Sequence, residues 1–244
     1  MQAVLNVSGY LFTDVRDPHT LRDLLLPTAR DLGLKGTILL APEGINLVLA
    51  GAAAQVDALL DTIRAQPGLA ALDVKRSWSQ AQPFRKLLVK VKREIIRMDH
   101  PLIRPADHRA PAIDASTLRR WLDQGHDDEG RPVVTLDTRN AFEVDHGSFD
   151  GAIDWRLRKF GDFPQALREH QQELAGKTVV SYCTGGIRCE KAALVMQQAG
   201  LDHVYQLEGG ILRYFEEAGS AHYHGACFVF DEREALDPDL APLR

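Results

Sequence analysis

The sequence predicts an α/β protein of two consecutive units, an α/β sandwich followed by a doubly wound parallel sheet. Three observations predict it. Short apolar strands alternate with amphipathic stretches of helical length along the chain. Prolines at 101, 105 and 111 interrupt that alternation, marking residues 98–111 as a stiff linker between a unit at 1–97 and one at 112–220, with 221–244 as a C-terminal extension. The apolar run Thr178–Tyr182 leads directly into a glycine-containing turn and a helix-like stretch, Glu190–Ala199, the strand–turn–helix order of such a sheet.

In the first unit, residues 2–12 read as a strand, and Pro18–Leu32 as a helix with Leu21, Leu24, Leu25 and Leu32 along one face. Lys35–Ala41 and Ile45–Ala50 are strands joined by the turn residues Pro42-Glu43-Gly44, a hairpin. Ala52–Arg64 buries Val56, Leu59, Leu60 and Ile63 as a second helix, ending before Pro67-Gly68. Strands at Leu72–Lys75 and Lys86–Ile96 complete βαββαβ in outline, with a short strand before the last one, a ferredoxin-like or acylphosphatase-like α/β sandwich.

Net charge is −5, which argues against a generally nucleic-acid-binding surface, yet its distribution is uneven. Between Lys75 and Arg97 eight basic residues face Glu94 alone, an excess of +7 that leaves the rest of the chain at −12. In the last strand Lys86, Lys90 and Lys92 share one parity and Leu87, Val89 and Val91 the other, setting a basic row opposite a core row. With Arg85 and Arg93 this is a candidate polyanion-binding strip, and Trp78 and Phe84 would add stacking surface. A solvated face whose lysines guard a sheet edge accounts for the row equally well.

The second unit opens with a helix at Ser116–Leu122, capped near Asp114, and a buried strand at Val133–Leu136. Asp137-Thr138-Arg139 follows at the strand's C-terminal end, where such sheets place functional groups. Arg156, Arg158 and Lys159 form a basic loop able to meet phosphates, or merely solvent. A helix at Pro164–Ala175, the strand Thr178–Tyr182, a strand at His203–Gln206 and a helix at Ile211–Ala218 complete the alternation.

No apolar run approaches a membrane span, the start lacks a leader pattern, and three cysteines are too few for a disulfide framework, so the reading is a cytoplasmic protein. His222, His224 and Cys227 have an H-x-H-x-x-C spacing, but no fourth ligand accompanies them, and no metal is assigned.

The chemistry concentrates in Cys183-Thr184-Gly185-Gly186-Ile187-Arg188-Cys189. A cysteine on a strand-to-helix turn, with glycines that let successive N–H groups converge, has its thiolate favoured by those donors and by the helix dipole. Such a thiolate is a nucleophile near neutral pH, and the same nest suits a persulfide.

This loop, with Leu136-Asp137-Thr138-Arg139, Glu143 and Leu207-Glu208-Gly209-Gly210-Ile211, resembles the rhodanese superfamily. Cysteine phosphatases carry arginine six positions after the nucleophile, where this chain has Cys189. In the rhodanese reading Asp137, Arg139 and Glu143 support the loop structurally. Together with Gly36–Asn46 and Pro83–Ile96, the loop is similar more narrowly to the bacterial tRNA uridine hydroxylase family, over roughly residues 1–232. That resemblance implies oxygen-dependent 5-hydroxylation of the wobble uridine, with the tRNA anticodon stem-loop as partner, molecular oxygen as co-substrate, no cofactor evident, and dependence on Cys183. A sulfurtransferase carrying a Cys183 persulfide is the alternative that the loop alone supports equally.

Overall fold

The computed structural model describes residues 3–100 and 102–243, and the chain divides into two units, Met1–Arg97 and Met98–Arg244. In the first, period-two alternation produces β1 (Val4–Phe12), β2 (Lys35–Ala41) and β3 (Gly44–Gly51), and helical periodicity produces α1 (Pro18–Asp31) and α2 (Ala53–Arg64); β4 (Lys75–Ser79) and β5 (Leu87–Val91) follow. Asp17 starts α1 by accepting the N–H groups of His19 and Thr20. The β2–β3 hairpin closes on Pro42-Glu43, with Ala41 paired to Gly44.

The sheet order is β4-β1-β3-β2-β5, antiparallel throughout except that β5 runs parallel to β2 at the edge. Leu5, Val7, Ile38, Leu40, Leu47, Leu49 and Val89 share one face and pack with Leu21 and Leu25 of α1 and Leu59 and Leu60 of α2. This is the expected sandwich, with the short strand before the last one at one edge. Two strands differ from expectation. Leu72 lies in the turn after α2, where its carbonyl accepts from Arg64 Nε at 3.0 Å, so pairing with β1 begins only at Lys75. The last strand stops at Val91 because β2 ends beside it, the final ladder bond running from Lys92 N–H to Leu40 O.

The second unit contains β6 (Ala112–Ile113), α3 (Ala115–Gln124), β7 (Val133–Asp137), α4 (Ala141–Val144), β8 (Gly147–Phe149), β9 (Ile153–Asp154), α5 (Phe163–His170), β10 (Thr178–Tyr182), α6 (Ile187–Gln198), β11 (Val204–Leu207) and α7 (Gly210–Ala218). Its main sheet, β6-β11-β10-β7-β9, is wholly parallel. Every residue of β10 is buried, which is why its sequence is a continuous run instead of an alternation. Val180 and Tyr182 pack with Leu118 and Trp121 of α3 and Ile211 and Tyr214 of α7.

The helix expected over Pro164–Ala175 is divided, α5 giving way to a 3₁₀ turn at Gln171–Leu174. The last three strands, β12 (Tyr223–Gly225), β13 (Cys227–Phe228) and β14 (Ala235–Leu236), build the C-terminal segment into the unit, since β12 pairs with β8 and β13 with β14. The segment read as a spacer is also tied down: Met98, Ile103 and Ala110 are buried, and Ala110 O accepts from Gln206 Nε2 at 3.1 Å. Pro101 lies outside the described residues.

Candidate active site

Strand β10 delivers Cys183 at the C-terminal edge of the parallel sheet, and α6 begins four residues later. Helix α6 starts three residues before the sequence suggested, so Arg188 and Cys189 belong to its first turn. Gly186 caps it at φ +104° and donates its N–H to Cys183 Sγ at 3.1 Å. The far side of the loop rests on α7. Ile211 N–H donates to Cys183 O at 2.9 Å and Leu212 N–H to Thr184 O at 3.2 Å, engaging those carbonyls with the α7 N-terminus. At Gly210, φ +66°, a Cβ would stand 2.3 Å from Cys183 O and 2.9 Å from Gly186 N, so this position admits no larger residue.

Arg188 and Glu143 are both buried and form a two-pronged pair, at 2.6 and 2.7 Å. The Arg188 side chain also meets Cys183, through a hydrogen bond and through its charge. Burial alone would raise the Cys183 pKa. The hydrogen bond from Cys189, the Arg188 charge and the N–H groups of Arg188 and Gly186 outweigh it and hold the thiol well below its ordinary value. Cys189 moves the opposite way, raised by burial and by the hydrogen bond to and charge of Cys183, with Thr138 Oγ1 at 3.7 Å only partly compensating. The two shifts are opposite in sign, so the thiolate is favoured on Cys183 over Cys189. The sulfur itself is 0% exposed; Thr184, Gly185 and Ile187 are the loop residues that meet solvent.

The supporting residues converge on α4. Arg139, wholly buried, pairs with Asp137 through Nη2 at 2.6 Å and donates to Gly147 O at 2.6 Å, bridging the end of β7 to the start of β8. Glu143 also accepts the Asn140 N–H at 3.1 Å, fixing the carboxylate that holds Arg188. The Arg139 guanidinium bonds to Asp137 and to the Glu143 and Gly147 carbonyls.

The basic candidates fall into different settings. Arg85, Lys86, Lys90, Lys92 and Arg93 are exposed on or beside β5. Lys75, Arg76 and Trp78 lie on β4, the opposite edge, roughly 19 Å away across four strand spacings. Trp78 shares the face of its partner Leu5, so it does not interleave with the lysine row as the sequence suggested. In the second unit Arg156 is engaged by Asp145 at 2.7 Å and Asp154 at 3.2 Å, whereas Arg158 and Lys159 are 92% and 74% exposed, with Asp162 only at 4.0 and 3.9 Å. His222 contacts Asp123 at 2.7 Å and His224 contacts Asp150 at 3.0 Å, separately from the buried Cys227.

Sequence reasoning missed Phe142, Phe228 and Phe230, whose rings cluster beside the loop, with Phe228 O accepting from Thr184 Oγ1 at 3.4 Å. Their scatter over nearly ninety positions gave no periodic signal. Cys227, whose thiol borders Thr184, was read only as part of a histidine spacing; burial pushes its pKa up to about 12.

A thiolate held at a strand–helix turn by backbone N–H groups and a buried arginine defines a rhodanese-type cysteine site. Residues 114–217 match the rhodanese-like domain family, and residues 4–95 match the UPF0176 acylphosphatase-like domain family. The chain is 64% identical over 241 residues to a tRNA uridine(34) hydroxylase of Variovorax paradoxus, covering 99% of this chain and 92% of that one. It is 65% identical to the Delftia acidovorans protein of that name, with the same coverage, and 63% identical to the Bordetella pertussis one, covering 99% of each. The chain belongs to the tRNA uridine(34) hydroxylase family.

Proposed function

We infer that this protein hydroxylates uridine 34 of tRNA at C5 and that Cys183 is its reactive group. The observation that carries the reading is near-full-length identity above 60% to proteins of that name, in a chain that retains a thiolate-favouring loop. The target is an anticodon-loop base, unpaired and therefore able to leave its stack and enter a site. Because the sulfur is buried, the base reaches it only when the side chains over the loop give way. Addition of the Cys183 thiolate to C6 of uracil pushes electron density to C5, which then bonds oxygen; loss of the C5 proton with expulsion of the thiolate restores the ring. With molecular oxygen as oxidant, balance requires two further electrons and two protons, and the second oxygen atom leaves as water. Gly186 N–H and the Arg188 charge stabilise the thiolate as both nucleophile and leaving group.

A second reading keeps a specific observation behind it. The donors that hold a thiolate would hold a Cys183 persulfide, as a sulfurtransferase requires. The two separate in a strain lacking the gene, complemented with wild type or Cys183→Ser and assayed for tRNA nucleosides by mass spectrometry. Wild type restores 5-hydroxyuridine and the variant does not. Full restoration by Cys183→Ser removes the cysteine from the reaction, and an unaltered nucleoside profile in the deletion strain removes the hydroxylase reading. Incubation with thiosulfate and intact-mass measurement tests for the persulfide.

A further inference from the structure

Phe142 and Phe230 stand out among the described residues because they are large, apolar and exposed, at 47% and 58%, and because they meet each other. Phe228 braces them, with ring centroids 5.2 Å from Phe142 and 5.1 Å from Phe230, and all three pairs cross edge to face at 87–88°. Each edge-to-face contact covers one face of only one of its two rings, so three such contacts among three rings do not cover every ring face.

The cluster is locked to the reactive loop from two sides. Phe142 precedes Glu143, whose carboxylate grips Arg188. Phe228 accepts a hydrogen bond from Thr184, the residue after Cys183. Positive charge lies alongside: Ala141 N–H donates to Leu157 O at 2.7 Å, fixing the chain that carries the exposed Arg158 and Lys159 against the start of the Phe142 helix. Exposed aromatic faces with cations beside them are what a single-stranded nucleic acid binds, the bases stacking and the phosphates pairing.

We propose that Phe142 and Phe230 form a stacking platform for an unpaired anticodon-loop base next to the modified uridine, with Arg158 and Lys159 meeting the adjoining phosphates. The proposal rests on the tRNA hydroxylase reading and adds the means of positioning. Occupying the platform holds the neighbouring nucleotide at the rim of the loop, so that uridine 34 is the base offered to Cys183. Every base has a π face, so the platform serves anticodons that differ at that neighbouring position.

The test uses the full-length protein and an anticodon stem-loop RNA with the fluorescent base 2-aminopurine at position 33 or 35. Wild type quenches the fluorescence at one of these positions. The Phe142→Ala/Phe230→Ala double variant loses the quench and binds roughly tenfold or more weakly, the effect of one lost base–aromatic stack. Phe142→Trp restores both properties, and Phe142→Leu/Phe230→Leu, which keeps apolar bulk and fold, does not. In the complemented deletion strain the alanine and leucine variants yield less 5-hydroxyuridine at limiting expression. Binding and quenching by the leucine variant at the wild-type level overturn the platform while leaving the hydroxylase reading intact. Failure of wild type itself both to bind the RNA and to restore 5-hydroxyuridine overturns the two together.

Discussion

At Cys183 two opposing effects act on one sulfur. Burial disfavours the thiolate, and four favourable interactions, from Cys189, Arg188 and two backbone N–H groups, win. Because the folded-state pKa is depressed, the thiolate persists as pH falls below the range in which a free cysteine protonates, about 8.5. The absorbance difference at 240 nm between wild type and Cys183→Ser, followed against pH, should therefore show a midpoint well below that value. Cys189→Ala removes the leading favourable interaction and should move the midpoint upward with the protein still folded; an unmoved midpoint would assign the depression to Arg188 and the backbone alone. Arg188 owes its position to Glu143, and the loop's backbone owes its shape to Gly210, where any side chain would meet Cys183 O. The chemistry of Cys183, Gly186 and Arg188 was legible because strand, glycine turn and helix are contiguous in sequence. The contribution of Gly210 was not, because its contact crosses 27 positions to the backbone of Cys183 and depends on φ +66°.

Among the elements, those with their own periodicity were legible, and those defined by pairing were not. Strand β10 and helix α2 were readable because burial on every side, or along one stripe, leaves its pattern in the sequence. Strands β6, β8, β9, β12, β13 and β14 have two or three residues each, too few to alternate, and exist because a neighbour supplies their hydrogen bonds. That is also why residues 221–244, read as an extension, reach the reactive loop through Phe228. A similar long-range tie precedes β7. Asp127 accepts from Thr178 Oγ1 at 2.5 Å and from the N–H groups of Arg131 and Glu129 at 2.8 and 2.9 Å, joining that turn to the start of β10. Burial pushes its carboxyl up, but these bonds prevail and bring it from 3.8 down to about 2. Its folded pKa being depressed, the stabilisation is complete above about 4 and is lost as pH falls through about 2. Urea unfolding of wild type across that window should lose stability relative to Asp127→Asn, which lacks the titrating group and starts less stable at pH 7. Parallel curves for the two proteins would mean that the turn does not depend on the charge.

Over the whole molecule, charge is divided unequally. The chain is acidic at −5, yet β5 and its flanks present Arg85, Lys86, Lys90, Lys92 and Arg93 to solvent. Lys90 lies in a cross-strand row with Leu39, Asn46 and Tyr10, on the face that α1 and α2 leave uncovered. Among the described residues Lys86, Lys90, Lys92 and Arg93 form no ion pair, unlike Arg76 at the other sheet edge, which pairs with Asp57. Unpaired lysines attract a polyanion, and each phosphate neutralised releases counterions, so the binding constant falls with salt at a slope set by the number of contacts. If the row holds tRNA, Lys86→Glu/Lys90→Glu/Lys92→Glu should weaken binding and lower the slope of log K against log salt by about 2 to 3. Arg76→Ser, at the opposite edge and already neutralised, should change neither quantity. Cys183 should keep its thiolate midpoint in both variants, since neither substitution touches its loop. Equal slopes for wild type and the triple variant would make the row a solvated edge, its lysines serving to keep β5 from pairing with another chain's strand.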